Sequence, residues 1–298
     1  MISLDAIKEK VQTIAQLPAL PAVASKVIQM VDNPRTSTSS LGKLIATDQA
    51  LTAKVLKIAN SPFYGFPKKI STIDFAIIVL GYDALKEIVI STSLVSSLEK
   101  TSDSYFDSKA FWDHAIATGI FARRLARDLG YRISGEVFVG GLLHDMGISI
   151  LNRHFREEYQ RIVGIVRETD LTFIEAEESV LGVTHAEVGS WLAERWNLPD
   201  QLVEAVALHH APANAAQNPD LVALIHCADV MANSLPGMKV EFDTGVEFDR
   251  EALNRLQLND SARIKDYVAA YALMVQTDLP QFTQSNNEPT EGIPNHEG

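Results

Sequence analysis

Apolar positions along this chain recur at spacings of three and four, the signature of amphipathic helices, and few runs alternate as strands do. In AVASKVIQMV (22–31), Val23, Val27, Ile28 and Val31 fall on one face. In TDQALTAKVLKIAN (47–60), Asp48 reads as an N-cap, Leu51, Val55 and Ile58 form the stripe, and Asn60 stops it. STIDFAIIVLGY (71–82) has the apolar run of a strand, but Ser71 with Asp74 forms a capping pair and Gly81 a C-cap, which favours a short helix. Further helices are predicted over 82–98, 109–129, 134–151, 155–168, 171–182, 184–195, 199–210, 218–234 and 260–277. The class is therefore all-α. The polar stretch EKTSDSYFD (99–107) separates an N-terminal helical half (1–98) from a second half (105–280). From Gln281 onward periodicity is lost, and residues 281–298 read as a disordered acidic tail. No repeat of fixed period is present.

Composition narrows the class. The 298 residues are 46% hydrophobic and 21% charged, ordinary for a globular protein with a sizeable core. A net charge of −12 argues against a nucleic-acid partner, which calls for a basic stripe. Cys227 is the single cysteine, so no internal disulfide forms and a reducing cytoplasm fits. The start, MISLDAIKEK, carries charges where a signal peptide needs an apolar run, and FAIIVLGY is too short to span a membrane. A cytoplasmic protein without membrane association is expected.

Seven of the eight histidines lie between residues 114 and 226. His114 shares a helix face with Phe111 and Phe121, His185 with Val188 and Leu192, and His209 with Leu202 and Val206. Asp229 lies on a face with Val222 and Ile225. Any one of these alone reads better as a hydrogen-bonded interior residue than as a ligand. Jointly the balance changes, because burying several imidazoles and two carboxylates without partners costs on the order of several kcal/mol. One metal site converging from several helices satisfies them together. Nitrogen and oxygen donors without thiolate suit Fe, Mn, Co, Ni or Zn, as one or two divalent ions, rather than Ca. His144 and Asp145 diverge by about 100° around a helix axis. At a helix end both still reach one cavity, and such a carboxylate can bridge two metals.

The ordered set His114, His144-Asp145, Asp229 resembles the signature of the HD superfamily of metal-dependent phosphohydrolases. His185 and the His209-His210 pair extend it toward the pattern of HD-GYP cyclic-di-GMP phosphodiesterases. The chain is most similar to the HDOD family, an HD-related output domain of bacterial signalling. LPALP (17–21), LIATDQALTAKVLKIANSPFYG (44–65), ISTIDFAIIVLGYDALKEIVI (70–90), FWDHAIATGIFARRLA (111–126), GGLLHDMG (140–147), THAEVGSWLAERWNLP (184–199) and LHHAP (208–212) carry that resemblance over roughly 200 residues. It implies a multi-helix HD-like fold with an N-terminal helical subdomain packed on it. It also implies metal ligation by His114, His144, Asp145, His185, His209, His210 and Asp229, with Asp145 the central group if the site is active.

Departures from the family patterns bear on mechanism. Active HD-GYP enzymes commonly read HDxGK, with the lysine near the substrate phosphate; here the fifth position is Ile148. A cation on a developing phosphoryl charge is often a large catalytic contribution. No GYP loop follows the histidine pair, where the chain reads HHAPANAAQNPD, and Ala110 stands where three-metal versions carry a glutamate. The expectation is a bacterial signalling module with retained ligands and degenerate catalytic groups, acting through partner signalling proteins. Its length leaves no room beside this domain for a receiver, kinase or cyclase module, so a stand-alone unit is expected. The rival is a true metal-dependent phosphohydrolase acting on a nucleotide or phosphoester, with another cation replacing the lysine. An oxygen-using di-iron enzyme fits the ligand count but also lacks that lysine.

Other residues read more simply. The loop NSPFYGFPKKIST (60–72) is a turn with Phe63 and Tyr64 packed on the core in preference to a phosphate or partner contact. His226 serves either to orient Asp229 or as an ordinary interior histidine or extra ligand. His154 reads as surface and His296 as tail, while Trp191 and Trp196 read as core anchors. Cys227 needs only a structural explanation.

Overall fold

The computed structural model describes residues 4–13, 22–31, 33, 35–62, 64–97, 102–131 and 134–283, and among them all regular structure is helical. The N-terminal helices are α1 (Leu4–Thr13), α2 (Ala22–Val31), α3 (Thr38–Ala46), α4 (Gln49–Ala59) and α5 (Ile73–Ser97). The rest are α6 (Ser108–Asp128), α7 (Ser134–Leu143), α8 (Met146–His154), α9 (Arg156–Glu168), α10 (Phe173–Leu181), α11 (His185–Arg195), α12 (Asp200–Leu208), α13 (Pro219–Asn233), α14 (Arg250–Arg255) and α15 (Ser261–Thr283). Single 3-10 turns occupy Pro212–Asn214 and Glu241–Asp243.

Side-chain caps set many of the boundaries, because the first backbone N–H groups of a helix have no partner within it. Asp48 accepts from Leu51 N at 3.0 Å to start α4, and Asp107 accepts from Lys109 N and Ala110 N to start α6. Thr172 with Glu175 and Thr184 with Glu187 form reciprocal capping boxes on α10 and α11. Asn60 ends α4 and then holds the following loop, donating to Ile70 O and accepting from Ile70 N, both at 2.7 Å. Gly81 (φ 83°, ψ 172°) sits at a kink within α5, so the expected stop is a bend between two helical segments.

α6 is the axis of the second half. It is buried along most of its length and packs against α7, α13 and α15. The approach of α7 depends on glycine: a Cβ on Gly141 would lie 2.8 Å from the Gly119 Cα. α5 packs on α2, α3 and α4 and also on α7, and α1 packs on α11, so the N-terminal helices rest on the second half. Polar contacts cross the same junction. Arg123 on α6 donates to both carboxylate oxygens of Glu87 on α5, at 3.0 and 3.2 Å. The Arg123 guanidinium also lies 4.6 Å from the centre of the Tyr64 ring, which explains the half-buried Tyr64 of the 60–72 loop.

Three boundaries differ from expectation. The helix expected over 134–151 is interrupted at His144-Asp145, and the one expected over 199–210 stops at Leu208. The last helix runs to Thr283 with Pro280 inside it, because Phe282 still finds the Phe138 ring at 5.5 Å; the expected tail therefore begins too early at 281. His154 is half-buried rather than on the surface. LPALP (17–21), Phe63, His296 and residues 284–298 lie outside the described residues. No described helix is long and apolar enough to cross a membrane.

Candidate metal centre

The interruption at His144-Asp145 answers how adjacent side chains reach one place. α7 ends at Leu143, and Asp145 (φ −97°, ψ 10°) turns the chain into α8 without capping it through its side chain. Off the helix, the two residues escape the angular divergence of helical neighbours. Gly147 then allows α8 to start against α11, since a Cβ there would lie 1.9 Å from the His185 carbonyl oxygen. His209 and His210 reach inward by the same device, just past the end of α12.

Two groups of donor atoms face each other, and Asp145 belongs to both. On one side, His144 Nε2 lies 2.9 Å from Asp145 Oδ2, and His114 Nε2 lies 3.0 Å from Asp229 Oδ1. Asp229 Oδ1 is 3.6 Å from His144 Nε2, so that carboxylate lies beside the same group. On the other side, Asp145 Oδ1 lies 3.2 Å from His185 Nε2 and 3.4 Å from His209 Nε2, and His185 Nε2 is 3.0 Å from His210 Nε2. The structure thus brings together all seven residues singled out from the sequence. Only His210 among them is partly exposed.

The histidine tautomers are set from behind. His114 Nδ1 faces Met238 O at 3.2 Å, His144 Nδ1 faces Gly141 O at 2.6 Å, and His209 Nδ1 faces Val206 O at 2.8 Å. His185 Nδ1 faces Glu177 Oε2 at 2.8 Å. With each Nδ1–H donated outward, the Nε2 lone pairs point into the cluster, as metal-ligating histidines require. His226 has no atom to spare: its Nδ1 donates to His209 O and its Nε2 accepts from Asp249 N, both at 2.7 Å. It braces the backbone of a cluster residue and ligates nothing.

Two buried carboxylates went unread in the sequence. Glu177 on α10 accepts from both Nδ1 and the backbone N–H of His185. Asp243, in the 3-10 turn after α13, places Oδ2 3.0 Å from His114 Nε2 and belongs to the first donor group. No motif marks either residue. The available clue for Glu177 was a charge on the apolar face of Phe173, Ala176 and Val180.

The electrostatics of this cluster call for positive charge. His144 Nε2, His209 Nε2, both oxygens of Asp145, both of Asp243 and Oδ2 of Asp229 are buried without a hydrogen-bond partner among the described residues. Burial pushes the His114 and His185 imidazoles down, but the surrounding carboxylates overcome it and hold both at about 10. Burial likewise pushes Asp145 up, and His144 with its neighbouring imidazoles pulls it well below the usual carboxylate range. Asp243 goes the other way, raised by burial and by Asp229 and Asp145. In the metal-free protein, protons therefore supply the positive charge. The donor set fits a divalent ion: nitrogen and oxygen atoms, no thiolate, and a carboxylate shared between two groups.

Comparison with known proteins agrees with this architecture. Residues 17–212 match the HDOD domain family, and the chain belongs to it. An uncharacterized protein of Treponema pallidum is 28% identical over 226 residues, covering 75% of this chain, which spans only 44% of that relative's length. Among solved structures, an HDOD domain protein of unknown function from Geobacter sulfurreducens superposes with a TM-score of 0.72 at 26% identity, covering 93% of this chain and 94% of that one. A candidate phosphohydrolase from Shewanella amazonensis gives 0.72 at 22% identity, with coverage of 93% and 98%. A candidate signal-transduction protein from Marinobacter aquaeolei gives 0.72 at 21% identity, with coverage of 93% and 61%. The last two likenesses speak to the fold alone.

Proposed function

We propose that this HDOD protein is a signalling module whose HD-type centre holds one or two divalent ions and acts through partner proteins rather than by turnover. His114, His144, Asp145 and Asp229 would hold one ion, and Asp145, His185, His209 and His210 a second. Such ions, when bound, polarise phosphate and acidify water. The observation that carries the reading is enclosure, with buried hydrocarbon at the position where HDxGK enzymes carry their lysine. His114, His144, Asp145, His185, His209 and Asp229 are 0–1% exposed, and Ile148, standing where HDxGK enzymes carry lysine, is fully buried. An apolar side chain there offers a phosphate no charge, and burial around it disfavours an anion.

Metal analysis of protein purified without chelator, followed by assay against cyclic-di-GMP and a panel of phosphoesters, tests this. Stoichiometric metal with negligible hydrolysis is expected. Turnover near the ordinary enzyme median of about 10 per second, lost in Asp145→Ala, would make the protein a hydrolase.

A further inference from the structure

The segment joining α13 to α14 crosses the first donor group as a strap, and it is fastened at several points. Asn233 donates to Asp243 O and accepts from Val240 N, each at 3.2 Å. Arg167 on α9 pairs with both carboxylate oxygens of Glu241, at 2.6 and 2.9 Å. Phe242 fits among the rings of Phe111, Phe173 and His114 at 5.9, 6.4 and 6.2 Å. The strap also touches the cluster directly, because Met238 O receives His114 Nδ1–H. It thereby aims the His114 lone pair at the same place where it delivers Asp243.

Asp243 is 1% exposed, its Oδ2 faces His114 Nε2, and its Oδ1 has no hydrogen-bond partner among the described residues. Its Oδ2 and Asp229 Oδ1 each lie 3.0 Å from His114 Nε2. A nitrogen facing two carboxylate oxygens at this distance needs either a proton on Nε2, as the metal-free protein supplies, or a metal ion among the three atoms. Ligand atoms at right angles around an ion with bonds of about 2.1 Å are about 3.0 Å apart. The spacings of His114 to Asp229, His114 to Asp243 and His144 to Asp145 (3.0, 3.0 and 2.9 Å) match that value. His144 to Asp229 at 3.6 Å and His114 to Asp145 at 3.8 Å would subtend wider angles at an ion held there.

We infer that Asp243 is a built-in ligand of the first metal position, held there by the strap so that water and phosphate are denied a coordination site. Catalytic centres keep at least one position open, whereas closed ligand sets are structural. His114, His144, Asp145 and Asp243 each place a donor atom within 4.8 Å of the others, and the carboxylates among them repel an anion. The inference rests on the metal reading above and adds a residue to it.

The test uses full-length protein loaded with one equivalent of Mn(II), comparing wild type with Asp243→Ala. Three quantities are read: Mn(II) affinity, the number of exchanging waters from water-proton relaxation, and binding of inorganic phosphate to the loaded protein. Asp243→Ala should weaken Mn(II) by at least about 10-fold, the lower end of the range for losing a group that merely supports a ligand. It should also add at least one exchanging water and gain phosphate binding that wild type lacks. Equal affinity and equal water number in the two proteins would overturn the assignment of Asp243 while leaving the metal site intact. If wild type binds Mn(II) no better than His144→Ala does, the metal reading itself fails and this inference falls with it. Should melting show Asp243→Ala unfolded, Asp243→Leu, similar in size but without a donor atom, takes its place in the same comparison, and the same results support or overturn the assignment.

Discussion

Asp145 is the group whose removal should matter most, because its two oxygens serve the two donor groups separately: Oδ2 faces His144, and Oδ1 faces His185 and His209. Replacing it with alanine deprives both metal positions at once. An ion held at a free concentration 100 times its dissociation constant stabilises the native state by about 2.7 kcal/mol, so two ions contribute about 5 kcal/mol. At about 2–4 °C per kcal/mol for large domains, chelation should lower the wild-type Tm by about 10–20 °C. The assay is thermal unfolding of wild type and Asp145→Ala, each with saturating metal and with excess chelator. Comparing each protein with its own chelated form separates metal linkage from the loss of Asp145's contacts with histidine. The chelator-induced shift should be large in wild type and near zero in the variant. A shift of equal size in both would show that the metal sits elsewhere, and the reading of Asp145 as the shared ligand would fail.

Glu177→Ala should strand two buried N–H groups of His185, costing about 1–3 kcal/mol each and weakening metal binding by about 10–100-fold; chemical denaturation and chelator competition check the two effects, and unchanged values in both would remove Glu177 from the site. Metal uptake should expel protons, because His114 and His185 are held at about 10 in the metal-free protein and must lose a proton to ligate. Stability of the chelated protein should accordingly fall as pH rises from the ordinary histidine value of 6.5 toward about 10, the folded-state protons being lost there. Metal affinity should rise over the same window, so parallel trends of stability and affinity would contradict the linkage. The halves 1–98 and 105–280 should melt as one cooperative unit in the intact chain, given the Glu87–Arg123 pair and the packing of α5 on α7; two separate calorimetric transitions would refute this.

The helices were legible because their apolar periods are long and their caps explicit, as at Asp48, Thr172 and Thr184. The breaks at His144-Asp145 and after Leu208 were not, since periodicity continues through both and the cost of interrupting a helix is met by tertiary contacts that sequence does not display. Gly147 was visible as a letter, but its close approach to the His185 carbonyl depends on α11, thirty-eight residues further along the chain. The five histidines of the recognised pattern came forward because histidine on an apolar helix face is conspicuous, and Asp145 and Asp229 because a carboxylate beside such a histidine or on such a face is equally so. Asp243 stood in a segment with no helical period and among ordinary surface-like acids, EFDTGVEFD, so nothing local distinguished it from Glu241 two positions earlier. Only the folded strap separates them, one on Arg167 and the other on His114.

The centre thus combines two opposing features of sequence. The family ligands place donor atoms around two adjacent positions, a geometry suited to gripping a phosphate between ions. The strap then fills part of that space with a carboxylate, and Ile148 supplies hydrocarbon where an enzyme of the HDxGK type has a charge. A carboxylate and a phosphate compete for the same ion, so retaining Asp243 and acquiring catalysis pull in opposite directions. Lysine at position 148 alone would leave Asp243 on the metal, and removing Asp243 alone would open a position with no cation beside it. Under the proposed metal reading the two features reinforce each other, and the donor set would then suit a metal-centred scaffold better than a weakened hydrolase.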